Sequence, residues 1–277
     1  MLGRQQIAGI PTAISELFKN AHDAYAERVE VDFFRSRSLF VLRDDGMGMT
    51  LQDFEQRWLV LGTESKVGGP SLQLPTIPSG ATPRPVLGEK GIGRLAIAAI
   101  GPQVLVLSRA KRDGALGDLV AAFINWSFFE LPGVHLDDID VPVVTLPGGT
   151  MPGPAEIDSL LGSCLDSFAH VNARGVDVPE IVSDQLAQFA QSVDPAGLAQ
   201  NLGGPSLQGN GHGTQFYILP TTPTLESDID AGRRETDSAP PLTKFLVGFT
   251  NTMTPDAPRP LIEADSETGA IRSLQTS

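Results

Sequence analysis

Between Pro11 and Tyr25 the apolar and polar positions separate onto two arcs. At roughly 100° per residue, Leu17, Phe18, Ala21, Ala24 and Tyr25 share one arc, while Asn20 lies about 40° to one side of Glu16 and Asp23 about 20° to the other. The spacing predicts an amphipathic helix from Pro11 to about Tyr25, with Pro11 in the first turn, where its missing N–H loses no partner. One arc can pack; the polar arc must face water or a ligand. VEVDFF (29–34) and SLFVLR (38–43) then read as two strands joined by a short polar turn, a hairpin that runs straight into DDGMGM. After Thr50, an N-cap candidate, LQDFEQRWLVLG has helical spacing at Leu51, Phe54, Trp58 and Leu61 and ends at Gly62.

Residues 67–87 are dense in Gly, Pro and Ser, which sustain neither helix nor central strand, and so read as a functional loop or lid. A passive insertion has the same look. A glycine turn, GEKGIG, opens next onto a short helix of Leu95, Ile97, Ala98 and Ile100, and strands follow at QVLVLS and DLVAAFINW. From 131 to 209 the expected elements are an extended VPVVTL and helices at 154–168 and 179–193, linked by Gly and Pro. GTQFYIL (213–219) reads as a buried strand, 223–241 as a polar linker and LTKFLVGFTNTM as a final helix.

With 277 residues, 41% of them hydrophobic, the chain can bury a sizeable core as one large domain or two small ones. A net charge of −13 argues against broad capture of nucleic acid or anionic membrane, which needs clustered Lys and Arg. The short basic run Arg109, Lys111, Arg112 reads as a strand-end turn, and Asp137, Asp138 and Asp140 as a solvated acidic loop. Cys164 is alone and reads as a packed thiol; the four histidines lack metal-ligand spacing. No apolar run is long enough to span a bilayer and no secretion signal opens the chain, so the expected setting is cytoplasmic.

Four blocks carry candidate chemistry: ELFKNAHDA, DDGMGM, GEKGIG and GNGHGT. Each is weak alone. ELFKNAHDA by itself could be a solvated surface helix, and DDGMGM a hairpin turn. No GxxxxGK[ST] is present, and Gly88, Gly91 and Gly93 follow a Pro-rich loop instead of a strand, which removes the P-loop and dinucleotide readings. In order and spacing the set resembles the GHKL ATPase superfamily of gyrase B, the large heat-shock chaperones, histidine kinases, MutL and MORC proteins. DDGMGMT and LGTESK (61–66) look most like the chaperone, MORC and MutL branch. The resemblance covers about residues 10–110 and 209–219.

The resemblance implies an α/β two-layer sandwich, with a mixed, largely antiparallel sheet covered on one face by helices and ATP held between helices and lid. Residues 1–222 would form that domain, with the lid at 62–93, an insertion at about 131–209, a linker at 223–241 and the possible start of a transducer-like domain at 242–277. The site residues implied are Asn20, Asp23, Asp44, Gly46, Met47, Gly48, Lys66, Gly88, Lys90, Gly91, Ile92, Gly93 and Thr214 for ATP, with Asn20 also reaching Mg²⁺. Elementary chemistry agrees. Asp44 offers a carboxylate acceptor for the exocyclic amine of adenine, and Asn20 a neutral oxygen for a metal otherwise held by phosphates and waters. Glycines in GEKGIG free backbone N–H groups to wrap phosphates, and Lys66 and Lys90 supply charge.

Glu16, one turn before Asn20, is the candidate base that takes the proton of the attacking water. Histidine kinases of the superfamily usually carry Asn there, so the expected reaction is Mg²⁺-dependent hydrolysis of ATP to ADP, with ATP-dependent homodimerisation and lid closure implied by the resemblance. Hydrolysing members usually draw a further Lys or Arg from a following domain, so the chain is expected to be a fragment of a longer protein that turns ATP over poorly alone. An ATP-gated interaction module with little hydrolysis stays open, as does a histidine-kinase-type phosphotransferase.

Overall fold

The structure is a computed structural model that describes residues 9–58, 77–78, 81–87, 96–135, 138–229, 242, 263–264, 271–272 and 274–275. Helix α1 spans Ile10–Asp23, with Pro11 in its first turn. The hairpin forms as β1 (Arg28–Phe34) and β2 (Leu39–Asp44), joined by a 3-10 turn at Arg35–Arg37. Thr50 caps α2 (Leu51–Asp53) through a reciprocal box with Asp53, and the turn continues as a π-helical segment, Phe54–Trp58. The remainder of LQDFEQRWLVLG lies outside the described residues. α3 (Ile97–Ile100) precedes β3 (Gln103–Arg112) and β4 (Ala115–Asn125), both longer than their apolar runs suggest.

The 131–209 region supplies β5 (Val143–Leu146), α4 (Pro154–Ala173), α5 (Ile181–Ser192) and a helix not foreseen, α6 (Pro195–Asn201), capped by the Asp194 side chain. β6 (Gly213–Ile218) follows. Where a polar linker was expected from residue 223, the chain first forms α7 (Pro223–Ile229), because Leu225 and Ile229 pack into the core beside α1. Of the expected final helix only Leu242, helical and buried, is described. The two-residue strands β7 (Glu263–Ala264) and β8 (Ile271–Arg272) pair together, and β9 (Leu274–Gln275) pairs with β1.

The main sheet runs in the order β5-β4-β3-β6-β2-β1-β9. Every pairing in it is antiparallel, so the expected admixture of parallel strands is absent among the described residues. Side chains alternate across a strand, and here both sets are buried. Val31, Phe33, Phe40, Leu42, Val106 and Phe216 face α1, α3 and α7, as expected of a GHKL sandwich. The other set, with Leu39, Val41, Leu105, Leu107 and Tyr217, packs against Leu160, Cys164 and Phe168 of α4 and Leu186 and Phe189 of α5.

Coverage of one face alone is therefore corrected. The insertion folds back as a third, helical layer, fastened by a stacked Phe128–Phe168 pair and an edge-on Phe123–Phe189 pair. Polar anchors sit in the same interface. Arg43, 4% exposed, donates to Glu30 Oε2 at 3.0 Å and Asp32 Oδ2 at 2.8 Å, and to the carbonyls of Gly203 and Pro205. Cys164 is buried as expected, and burial pushes its thiol up to about 12.

Candidate functional site

Register builds the floor of the site. Asp44 pairs with Thr214 across β2 and β6, and Thr214 with Ser108 across β6 and β3, so the three form one row over adjacent strands. Asp44 follows Phe40 and Leu42 in alternation, Thr214 precedes Phe216 and Ile218, and Ser108 follows Val104 and Val106. All three side chains therefore point to the face under α1. Ser108 Oγ lies 3.0 Å from Thr214 Oγ1, donates to the Gly213 carbonyl and accepts from Met49 N at 2.8 Å.

Asp44 is 3% exposed. Its Oδ1 accepts from Gly46 N at 2.9 Å and Thr214 N at 3.2 Å, which leaves Oδ2 without a hydrogen bond among the described residues. Burial pushes the carboxyl up to about 7, against the two backbone N–H groups that pull it down, and the neighbouring Asp45 charge adds to the rise. A buried oxygen that can only accept, or share a single proton, suits a donor such as an exocyclic amine.

The DDGMGM loop is pinned against the end of α1. Met47 N donates to Ala24 O at 2.7 Å, while Asp45 Oδ1 accepts from both Glu27 N and Arg28 N at 2.8 Å. Two glycines here answer to the protein's own backbone. Gly48 has φ +61°, and a Cβ there would collide with the Arg109 carbonyl; at Gly213, φ +123°, it would strike the Asp44 carbonyl.

On α1 the buried residues are Ile10, Ala13, Ile14, Ser15, Leu17, Phe18 and Ala21, so Glu16, Asn20 and Asp23 lie on the unburied side together. Glu16 Oε1 is held by Lys19 Nζ at 2.6 Å. Asn20 is exposed, and its amide makes no hydrogen bond among the described residues, which fits one neutral ligand to a Mg²⁺ held chiefly by a nucleotide. No cluster of three or more His, Cys, Asp or Glu able to hold a metal by itself occurs among the described residues. Asp23 Oδ1 accepts from Leu87 N at 2.9 Å. Just before it in the loop, Arg84 donates to the Ala26 carbonyl at 2.7 Å and lies over the Tyr25 ring. Residues 81–87 are thus fastened to the end of the helix that carries Glu16 and Asn20.

Glu16, Asn20, Asp23, Asp44, Gly46, Met47, Gly48 and Thr214 are brought to this one side of the sheet. Lys66, Gly88, Lys90, Gly91, Ile92 and Gly93 lie outside the described residues. Sequence reasoning passed over Ser108, Arg112 and His212. Ser108 ends an apolar strand and carries no motif, so only the β3–β6 register reveals it. Arg112 sat in the basic run read as a strand-end turn, and His212 stood inside GNGHGT beside the threonine that drew attention.

Residues 9–130 match the family described as histidine kinase-, DNA gyrase B- and HSP90-like ATPase. The match ends before β6, so Thr214 joins the site through the sheet. No curated protein matches the chain. No described helix is long and apolar enough to cross a membrane.

Proposed function

We propose that this chain, which over residues 9–130 belongs to the GHKL superfamily of ATPases, binds ATP at the Asp44–Thr214 row and hydrolyses it to ADP. The observation that carries the reading is the buried Asp44 carboxyl, whose Oδ1 is saturated by Gly46 N and Thr214 N while Oδ2 stays open toward the α1 face. Oδ2 accepts from the adenine amine, and Thr214 Oγ1 with Ser108 Oγ completes a polar floor beneath the base. Met47 and Gly48 supply backbone along its edge.

Asn20, on the unburied side of α1, is the residue that would hold Mg²⁺, which when bound neutralises phosphate charge. Glu16 orients a water and takes its proton as the water oxygen bonds to the γ-phosphorus and the bond to the β–γ bridging oxygen breaks, releasing ADP and phosphate. Lys66 and Lys90 contribute positive charge to the phosphates, and the glycines at 88, 91 and 93, with Ile92, contribute backbone N–H groups. Asp23 keeps the 81–87 segment against the site. Lid closure and ATP-dependent pairing of two copies complete the cycle, in a larger protein nearest the chaperone, MORC and MutL branch.

Calorimetry with Mg²⁺-ATP tests the reading. Wild type binds, Asp44→Asn loses at least tenfold in affinity, and Glu16→Ala keeps binding while losing turnover; unchanged affinity in Asp44→Asn would overturn the base assignment. The Glu16–Lys19 pair supports a second reading, an ATP-gated interaction module with little hydrolysis, because Lys19 competes with water for the carboxylate. Negligible wild-type turnover, with sedimentation that shifts on addition of a non-hydrolysable ATP analogue, is its signature.

A further inference from the structure

Three successive carbonyls of the DDGMGM loop, those of Gly46, Met47 and Gly48, are taken. Gly46 O lies 2.7 Å from His212 Nδ1. Met47 O accepts from Lys111 N at 2.9 Å and Arg112 Nη1 at 2.6 Å, and Gly48 O accepts from Arg112 Nη2 at 2.9 Å. The same Nη2 reaches Asp53 Oδ2 at 2.8 Å, the carboxylate that completes the Thr50 capping box. Three consecutive carbonyls are therefore fixed by two basic side chains and one backbone N–H.

Both side chains come from outside the loop, and the fold delivers them from two directions. A bulge in β3 between Arg109 and Lys111 carries the end of the strand to the loop, and His212 sits one residue before β6. A carbonyl can only accept, so His212 Nδ1 carries the hydrogen. A planar guanidinium can meet two successive carbonyls and a carboxylate at once, which a lysine ammonium on its single point cannot reproduce.

Resting on the ATP-binding reading above, we propose that His212 and Arg112 are positioning residues for nucleotide recognition. They hold carbonyls 46–48 so that the Asp44 Oδ2 edge of the loop keeps one conformation before the base arrives. Preorganisation of this kind shows as affinity, because the nucleotide no longer bears the cost of ordering the loop. Neither side chain needs to touch ATP.

The test is ATP affinity by calorimetry across a short series, with circular dichroism confirming the fold. His212→Ala weakens binding about fivefold, the loss of one hydrogen bond, and Arg112→Ala tenfold or more, the loss of charge-assisted bonds to two carbonyls. His212→Asn, whose amide N–H sits near the Nδ1 position, returns to within about twofold of wild type, whereas Arg112→Lys recovers only part. Should an alanine variant fail to fold, Arg112→Gln and His212→Asn carry the comparison. Unchanged affinity in folded Ala or Gln variants, or equal losses in His212→Ala and His212→Asn, overturns the proposal. Wild type that binds no ATP brings down the functional reading itself, which the variants alone cannot do.

Discussion

Lys19 Nζ lies 2.6 Å from Glu16 Oε1, so the carboxylate proposed to receive a proton from water already carries a cation from its own helix. The side chains are 30% and 23% exposed, and a pair so open to solvent contributes under about 1 kcal/mol to stability. Its consequence lies in turnover. Lys19→Met frees the carboxylate and is expected to raise the hydrolysis rate at saturating ATP a few-fold, while Glu16→Ala lowers it at least a hundredfold with ATP affinity within about threefold of wild type. Phosphate release assays on both variants decide it; slower turnover in Lys19→Met would show that the cation assists the phosphates instead.

Asp44 gives the stability a pH dependence of definite sign. Its carboxyl stands at about 7 in the fold against 3.8 for the ordinary group, so between those values the native state holds more proton than the unfolded chain. The stabilisation is complete below about pH 4, falls as pH rises through 7, and is gone above. Three units correspond to at most about 4 kcal/mol. Asp44→Asn removes the slope: urea melts without nucleotide should show it matching wild type near pH 4 and exceeding it by a few kcal/mol at pH 8.

Arg43 holds the third layer to the sheet, and its removal leaves Asp32, 1% exposed, without that partner and Glu30, 5% exposed, with Arg28 alone. Arg43→Ala is expected to cost roughly 3–5 kcal/mol, as for other broken buried pairs. A Tm within a degree or two of wild type would contradict the assignment.

Gly48→Ala forces a side chain into φ +61° and against the Arg109 carbonyl. About 1–3 kcal/mol of backbone strain alone is expected, more with the collision, together with a clear loss of ATP affinity, since Asp44 precedes the same loop. Calorimetric unfolding and ATP titration of the variant measure both.

Much of this protein is legible in its residues because the signals are local. The two arcs of ELFKNAHDA fix a helix and its unburied stripe, the alternation through VEVDFF and SLFVLR fixes a hairpin, and Thr50 with Asp53 marks a helix start. These depend on neighbours within a turn or a strand. The family likeness added which blocks belong together.

Tertiary structure decided the rest, because it depends on register between distant segments. The pairing of Asp44 with Thr214 and Thr214 with Ser108, over a span of more than 100 residues, sets the row proposed to bind the base. Whether residues 131–209 cover the second sheet face could not be read from alternation, since a strand buried on both sides shows only an apolar run. The basic run at 109–112 reads as a strand-end turn in one dimension. Folding turns Arg112 onto the carbonyls of Met47 and Gly48 and buries Arg109 against those of Leu207, Gly209 and Gly211. The residues of the polar stripe were set by helical geometry, but the DDGMGM loop, bonded to Ala24 just past the same helix, is held by side chains that only the sheet brings near.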